Sequence, residues 1–182
     1  MMILRAVLSL ALAAAIAIAA VTVSTRAQVR KAELAGVRNY SKVDATVGCA
    51  GATDPSAMAA LRKEGFVSVI NLRQATEQGA DIEGSRAAAQ AAGLKYIHLP
   101  FNVAMPDAKV VDAFLAAVAD TSNQPVFVHC GSANRVGGVW LIKRVLQDGW
   151  PMERARTEAE AIGLRDPKLA AFATDYIAAH RK

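Results

Sequence analysis

Beyond about residue 43, short apolar runs alternate with segments in which apolar positions recur at helical spacing. Residues 43–48 read as a short strand, closed by the small residues of 48–53. Asp54 followed by Pro55 is a helix-opening pair, and the helix over 54–64 stops at Gly65. The compact run over 66–72, with Val67, Val69, Ile70 and Leu72, predicts a strand buried on both faces. A polar loop over 76–81 leads to a helix over 82–92, stopped by Gly93, and Tyr96-Ile97-His98-Leu99 is a further strand ended by Pro100. Pro106-Asp107 opens a helix that carries Val110, Val111, Phe114, Leu115 and Val118 on one stripe. Pro125 introduces a strand over 126–128. Helices follow over about 135–147, 151–162 and 167–179. Alternating strands and helices predict an α/β fold in three layers: a twisted, mostly parallel central sheet of four to five strands, with helices on both faces and right-handed crossovers.

The N-terminus has a different pattern. Residues 1–5 are short and positive, and residues 6–20 are almost wholly Ala, Leu, Ile and Val. With small-residue cleavage sites at Ala17-Ile18-Ala19 and Thr25-Arg26-Ala27, residues 1–27 read as a secretory signal peptide. The rival is an uncleaved membrane anchor, since the apolar run approaches the length of a span. Either predicts a periplasmic or secreted body, anchored to the membrane if cleavage fails. Residues 28–42 are polar and basic, and read as a linker or a loose first helix. The leader inflates the 53% hydrophobic content. What remains is the size of one domain. The formal net charge of +5 shrinks once Arg5 and Arg26 are removed. No basic block interleaved with aromatics remains, which speaks against nucleic-acid binding.

The candidate chemistry lies at Val128-His129-Cys130-Gly131-Ser132-Ala133-Asn134-Arg135. A strand, a tight loop and a helix N-terminus in that order converge backbone N–H groups and the helix dipole on one point, where a tetrahedral oxyanion can sit. The same field favours a thiolate, so Cys130 is a candidate nucleophile and Arg135 a candidate bidentate clamp. Ligands of such sheets bind beyond the carboxyl ends of the strands, where Cys130 falls. Cys49 is the only other cysteine, and a disulfide with Cys130 is the competing structural reading. Two cysteines without a His cluster argue against a structural zinc site, and no metal or organic cofactor is implied. Arg73, at a strand end, reads as the partner of a local carboxylate, Glu77 or Asp81, in preference to the alternative that it faces the site and binds anionic substrate. Trp140, Leu141 and Val145 read as helix core and Trp150 as a packing anchor.

Gly51 to Arg73, Tyr96-Ile97-His98-Leu99-Pro100, the Cys130 loop and the Gly149-Trp150 turn together resemble bacterial dual-specificity-phosphatase-like domains. The subgroup they most resemble is the phosphatase-like domain associated with beta-lactamase-hydrolase-like proteins, and residues 43–182 would form that catalytic domain. The resemblance implies that Cys130 attacks phosphorus and that Arg135 binds two equatorial oxygens. The loop amides of Gly131, Ser132, Ala133 and Asn134 would complete the cradle, with His129 buttressing it from behind. Three features depart from the usual pattern. Four residues rather than five separate Cys130 from Arg135, a spacing shared with rhodanese-type sulfurtransferases. Val136 stands where a hydroxyl residue commonly helps the thiolate leave, so slow breakdown of the intermediate is expected. Asn102 stands where the acid loop usually carries Asp. Asp107 is the nearest candidate acid, although it also suits a helix N-terminus.

Three functions compete on these residues. The first is a cysteine phosphatase acting on a phosphorylated protein or a small phosphoester. The second is a sulfurtransferase carrying a persulfide on Cys130. The third is a catalytically weak module that binds anions or phosphopeptides.

Overall fold

The computed structural model describes residues 29–181, so the reading of residues 1–27 as a signal or anchor lies outside the described residues. Six strands form one mixed sheet in the order β1-β2-β3-β6-β4-β5. They are β1 (Arg30–Lys31), β2 (Ser41–Lys42), β3 (Val47–Ala50), β4 (Ser68–Asn71), β5 (Lys95–His98) and β6 (Val126–His129). The four strands from β3 onward pair in parallel. β1 and β2 add to the β3 edge antiparallel, which makes the sheet six-stranded rather than four- or five-stranded. The difference lies in residues 29–42, the described part of the segment 28–42. Read as a linker, this segment instead folds back as a hairpin whose polar side chains bond the body of the molecule, a pairing that no apolar periodicity announces.

Among the described residues six α-helices cover the sheet: α1 (Met58–Lys63), α2 (Ile82–Ala91), α3 (Ala108–Ala119), α4 (Asn134–Leu146), α5 (Met152–Ile162) and α6 (Pro167–His180). Side-chain alternation along β6 sorts them into two layers. Phe127 packs with Tyr40, Met58, Leu61, Phe66 and Ala89 under α1 and α2. Val126 and Val128 face the larger cluster built with Val111, Phe114, Trp140, Ile162 and Ile177 from the other four helices. β6 is therefore buried on both faces, which is why its sequence is an unbroken apolar run.

α4 is the central helix of the larger layer. A Cβ on Gly137 would lie 2.7 Å from Ala159 O and Leu164 N, so this position permits the close approach of α5. Trp140, Leu141 and Val145 are core, as the spacing predicted. Trp140 Nε1 donates to Glu158 Oε1 at 2.6 Å, and the Arg144 guanidinium lies over the Trp140 and Trp150 rings. Sheet register then sets the position of the site. Ala50 and Asn71 both pair with His129, so β3, β4 and β6 end level and their following loops meet above Cys130.

Candidate active site

Cys130 is buried at the carboxyl end of β6, with its amide donating to Ala50 O at 3.3 Å. The loop turns back through Ala133, which takes a left-handed conformation (φ 73°) as the residue before α4. Its carbonyls are held from outside: Gly131 O accepts from Ala52 N (3.0 Å) and Ser132 O from Asn39 Nδ2 (3.2 Å). Asn134 Oδ1 accepts from the amides of Arg165 (2.8 Å) and Asp166 (3.1 Å), fixing the start of α4. Two carbonyls of the loop are thus turned onto neighbouring segments. The loop amides, together with the first-turn amides of α4, which have no partner within the helix, are the candidate anion cradle beside Cys130.

Arg135, on the first turn of α4, is nearly buried and reaches across the cradle's wall. Its Nη1 donates to Leu72 O and Phe101 O, both at 3.1 Å, and to Glu77 Oε1; its Nη2 donates to Glu77 Oε2 at 2.7 Å. A guanidinium has five N–H donors in a fixed plane. These acceptors occupy Nη1 and one proton of Nη2, which leaves the Nε edge and the second Nη2 proton for the cradle, where Arg135 also interacts with Cys130. Burial alone would lower the Arg135 pKa, but Glu77 and Cys130 outweigh it and the net shift is upward. Burial would raise the Glu77 pKa; the hydrogen bond from Arg135, with the amide of Gln74, reverses this and holds it down at about 2.

Glu77 was expected only as a partner of Arg73, and that contact is present at 3.3 Å. Arg73 also donates to Gly79 O (2.8 Å) and Gln78 O (2.7 Å), so it shapes the loop that presents Glu77. Asp81, the other carboxylate considered for it, caps α2 through the amide of Gly84. The role of Glu77 toward Arg135 was not visible in the sequence. The two residues are separated in the chain by α2, β5, α3 and β6, and meet because β4 and β6 are neighbours.

The remaining candidates are distributed as follows. His129 lies below the loop on the Phe127 side, fully buried, and neither ring nitrogen makes a well-aligned hydrogen bond among the described residues, although the backbones of Cys130 and Gly51 lie near enough to favour its charged form slightly. Burial first, and then the Arg73 charge, pushes its pKa down to about 3, so it is neutral. Ser132 is exposed at the rim, and Val136 is wholly buried against the core. Asp107 is exposed and caps α3, its Oδ1 accepting from Lys109 N at 2.9 Å, while Asn102 Oδ1 is turned onto Ala104 N within its own loop. Cys49 and Cys130 are both free thiols; they lie on one face of the sheet, with Cys49 opposite Val128.

Residues 39–147 match the family described as beta-lactamase hydrolase-like protein, phosphatase-like domain. The chain belongs to this family. It is a cysteine-based phosphatase-like hydrolase, with the Cys130 loop inside the matched region. Among solved structures, a candidate phosphatase from Shewanella putrefaciens superposes with a TM-score of 0.69 at 23% identity, over 81% of this chain and 94% of that one. Pseudomonas aeruginosa TpbA gives 0.65 at 19% identity, over 86% and 92%. The catalytic core of the PP-IP phosphatase SIW14 from S. cerevisiae gives 0.65 at 16%, over 78% and 87%. At these identities the likeness concerns the fold. No curated protein matches the chain.

Proposed function

We propose that this phosphatase-like domain hydrolyses a phosphomonoester through a phosphocysteine on Cys130, in the periplasm or outside the cell. The observation that carries the reading is the fork of Arg135, held by Glu77 beside the loop that begins at Cys130, with Nη2 3.4 Å from where a Cβ on Gly131 would stand. The Cys130 thiolate attacks phosphorus as the bond to the ester oxygen breaks. The loop amides and the free Arg135 edge bind the equatorial oxygens, whose charge is best matched in the transition state. The leaving oxygen needs a proton, and Asp107 is the carboxyl assigned to supply it, by releasing its cap when substrate is bound. Water then cleaves the S–P bond to give inorganic phosphate. Val136 offers that second step no hydroxyl, so dephosphorylation of the enzyme is the slow step. The complex of TpbA with phosphotyrosine and the activity in the SIW14 name both support phosphoester substrates.

The test is single-turnover kinetics with an aryl phosphate on the reduced domain, alongside Cys130→Ser and Asp107→Asn. A burst that needs Cys130, followed by a slow steady state, is the expected result, and a slower burst in the Asp107 variant assigns the acid. No burst, together with a persulfide on Cys130 after incubation with thiosulfate, would overturn the reading in favour of sulfur transfer. For location, the leader residues 1–27 support export, and the mass of the mature N-terminus recovered from a periplasmic fraction tests it.

A further inference from the structure

The β1–β2 hairpin and the turn between α5 and α6 bring two cations to the rim of the Cys130 loop, and phosphoryl transfer as described uses neither. Asn39, a non-glycine residue at φ 49°, donates from Nδ2 to Ser132 O and to Ile162 O, both at 3.2 Å. Lys31 Nζ donates to Asn39 Oδ1 (2.7 Å), Ser41 Oγ (3.0 Å) and Ile162 O (3.3 Å). Arg165 is fixed at the same rim by its amide on Asn134 Oδ1. Lys31 and Arg165 repel: after burial, the Arg165 charge is the next cause that lowers the Lys31 pKa. Neither residue forms an ion pair among the described residues, whereas Arg73, Arg135 and Arg144 each have a carboxylate.

Two uncompensated cations beside a loop already built for an anion cost the free protein stability. An anion placed there would remove that cost. The two contribute differently. Lys31 has its three protons on protein acceptors, so it supplies charge without a free donor. Arg165 is exposed, and no hydrogen bond from its side chain is formed among the described residues, so its fork can take a phosphoryl or carboxylate group bidentately.

We propose that Arg165, reinforced by Lys31, is a second anion subsite, and that the preferred substrate is a phosphomonoester carrying a further phosphoryl or carboxylate group on the side of residues 132–134. This rests on the phosphatase reading above. The experiment compares kcat/KM in two arms: a phosphotyrosine peptide flanked by Glu against the same peptide flanked by Gln, and fructose 1,6-bisphosphate against fructose 6-phosphate. The expected result is a preference of about 5- to 30-fold for the more anionic member of at least one pair, shrinking as salt rises past the range where charges about 8 Å apart are screened. Which arm shows it tells carboxylate from phosphoryl. Arg165→Gln should abolish the preference, Arg165→Lys restore part of it, and both leave p-nitrophenyl phosphate turnover unchanged. Lys63→Gln, the same charge change on α1 at the opposite end of the strands, should leave the preference intact. No preference in either arm, or one that survives Arg165→Gln, overturns the subsite. Absence of p-nitrophenyl phosphate turnover in the wild type would be a failure of the phosphatase reading instead. The subsite is then decided by calorimetry on Cys130→Ser, where pyrophosphate must bind more tightly than phosphate and lose that advantage on Arg165→Gln.

Discussion

Glu77 and Arg135 form a bidentate pair across the site, with Glu77 Oε2 2.7 Å from Arg135 Nη2 and Oε1 on Nη1. Each carboxylate oxygen takes one terminal nitrogen, so Glu77 sets the rotation of the fork. Both Arg135 Nη2 and Glu77 Oε2 lie beside the loop, 3.4 and 3.5 Å from where a Cβ on Gly131 would stand. Because the Leu72 and Phe101 carbonyls pin the same nitrogen, β4 and the segment after β5 both fix where the fork can point.

Glu77→Gln keeps an acceptor but loses the charge, and Glu77→Ala frees the fork. We expect kcat/KM for an aryl phosphate to fall roughly 10-fold in the first and up to about 100-fold in the second, mainly in kcat, because misorientation affects the transition state more than encounter. Unchanged kcat in Glu77→Ala would mean that the backbone carbonyls alone suffice. The ionisation has its own signature. A carboxylate held down at about 2 contributes stability that is fully present above its unfolded pKa near 4.5 and is lost as pH falls through 2. With Glu77 24% exposed, its contribution is on the order of 1–2 kcal/mol. Any acid limb in the rate profile between about pH 5 and 8 must then belong to another group.

His129 predicts a pH dependence in a different window. Its ring is buried and neutral, with the pKa at about 3 against an ordinary value of 6.5. Between those values the unfolded chain binds a proton that the folded one does not, so stability is complete above pH 6.5 and falls as pH drops toward 3. Urea titrations from pH 7.5 to 4.5 should show a loss approaching about 1.4 kcal/mol per pH unit at the steepest point. His129→Phe has a similar shape and nothing to protonate, and should remove that part of the slope. An equal slope in the variant would place the proton uptake elsewhere.

The parallel half of the sheet and the Cys130 loop were legible because they depend on local signals: buried apolar runs, a helix start such as Pro106-Asp107, where Asp107 caps α3, and a strand–loop–helix junction; Asp54, also read as a cap, precedes its helical turn without a side-chain cap bond. Arg73 read correctly for the same reason, since its carboxylate lies on the next loop. The hairpin over residues 29–42 was not legible, because two-residue strands made of Arg, Lys and Ser carry no hydrophobic period and are held by polar bonds to Ile162 and Ser132. The second role of Glu77 was hidden likewise. It depends on β4 lying beside β6, a long-range pairing that local pattern does not encode.

Glu158 predicts a stability effect remote from the chemistry. Its Oε1 accepts from both Trp140 Nε1 and Arg144 Nε at 2.6 Å, in a pair that is almost fully buried. Removing one partner of such a pair leaves the other charge desolvated. Asp148 and Asp44 still bond Arg144, which softens the loss. Glu158→Ala should cost about 2–3 kcal/mol in denaturant unfolding and leave kcat per folded molecule unchanged. A variant of wild-type stability would show that the network is redundant around Arg144.

Gly163 links that distant packing to the cradle. It ends α5 at φ 155°, a conformation that side chains rarely adopt, and a Cβ there would stand 2.9 Å from the Ala133 Cβ and 3.2 Å from the Ala133 backbone. Ala133 is itself buried and left-handed, so it has little room to yield, and its own backbone already holds roughly 1–2 kcal/mol of strain. Gly163→Ala therefore has to move either the turn before α6 or the loop between Cys130 and Arg135. If the loop moves, the amides shift from the positions that bind the equatorial oxygens, and a displacement of under an ångström is enough to lower kcat by about 10-fold or more. The expected result is a loss of about 2 kcal/mol in stability together with a fall in kcat measured well below the unfolding transition. Lost stability with full kcat would mean that the turn gives way and that the cradle is stiffer than the contact that supports it.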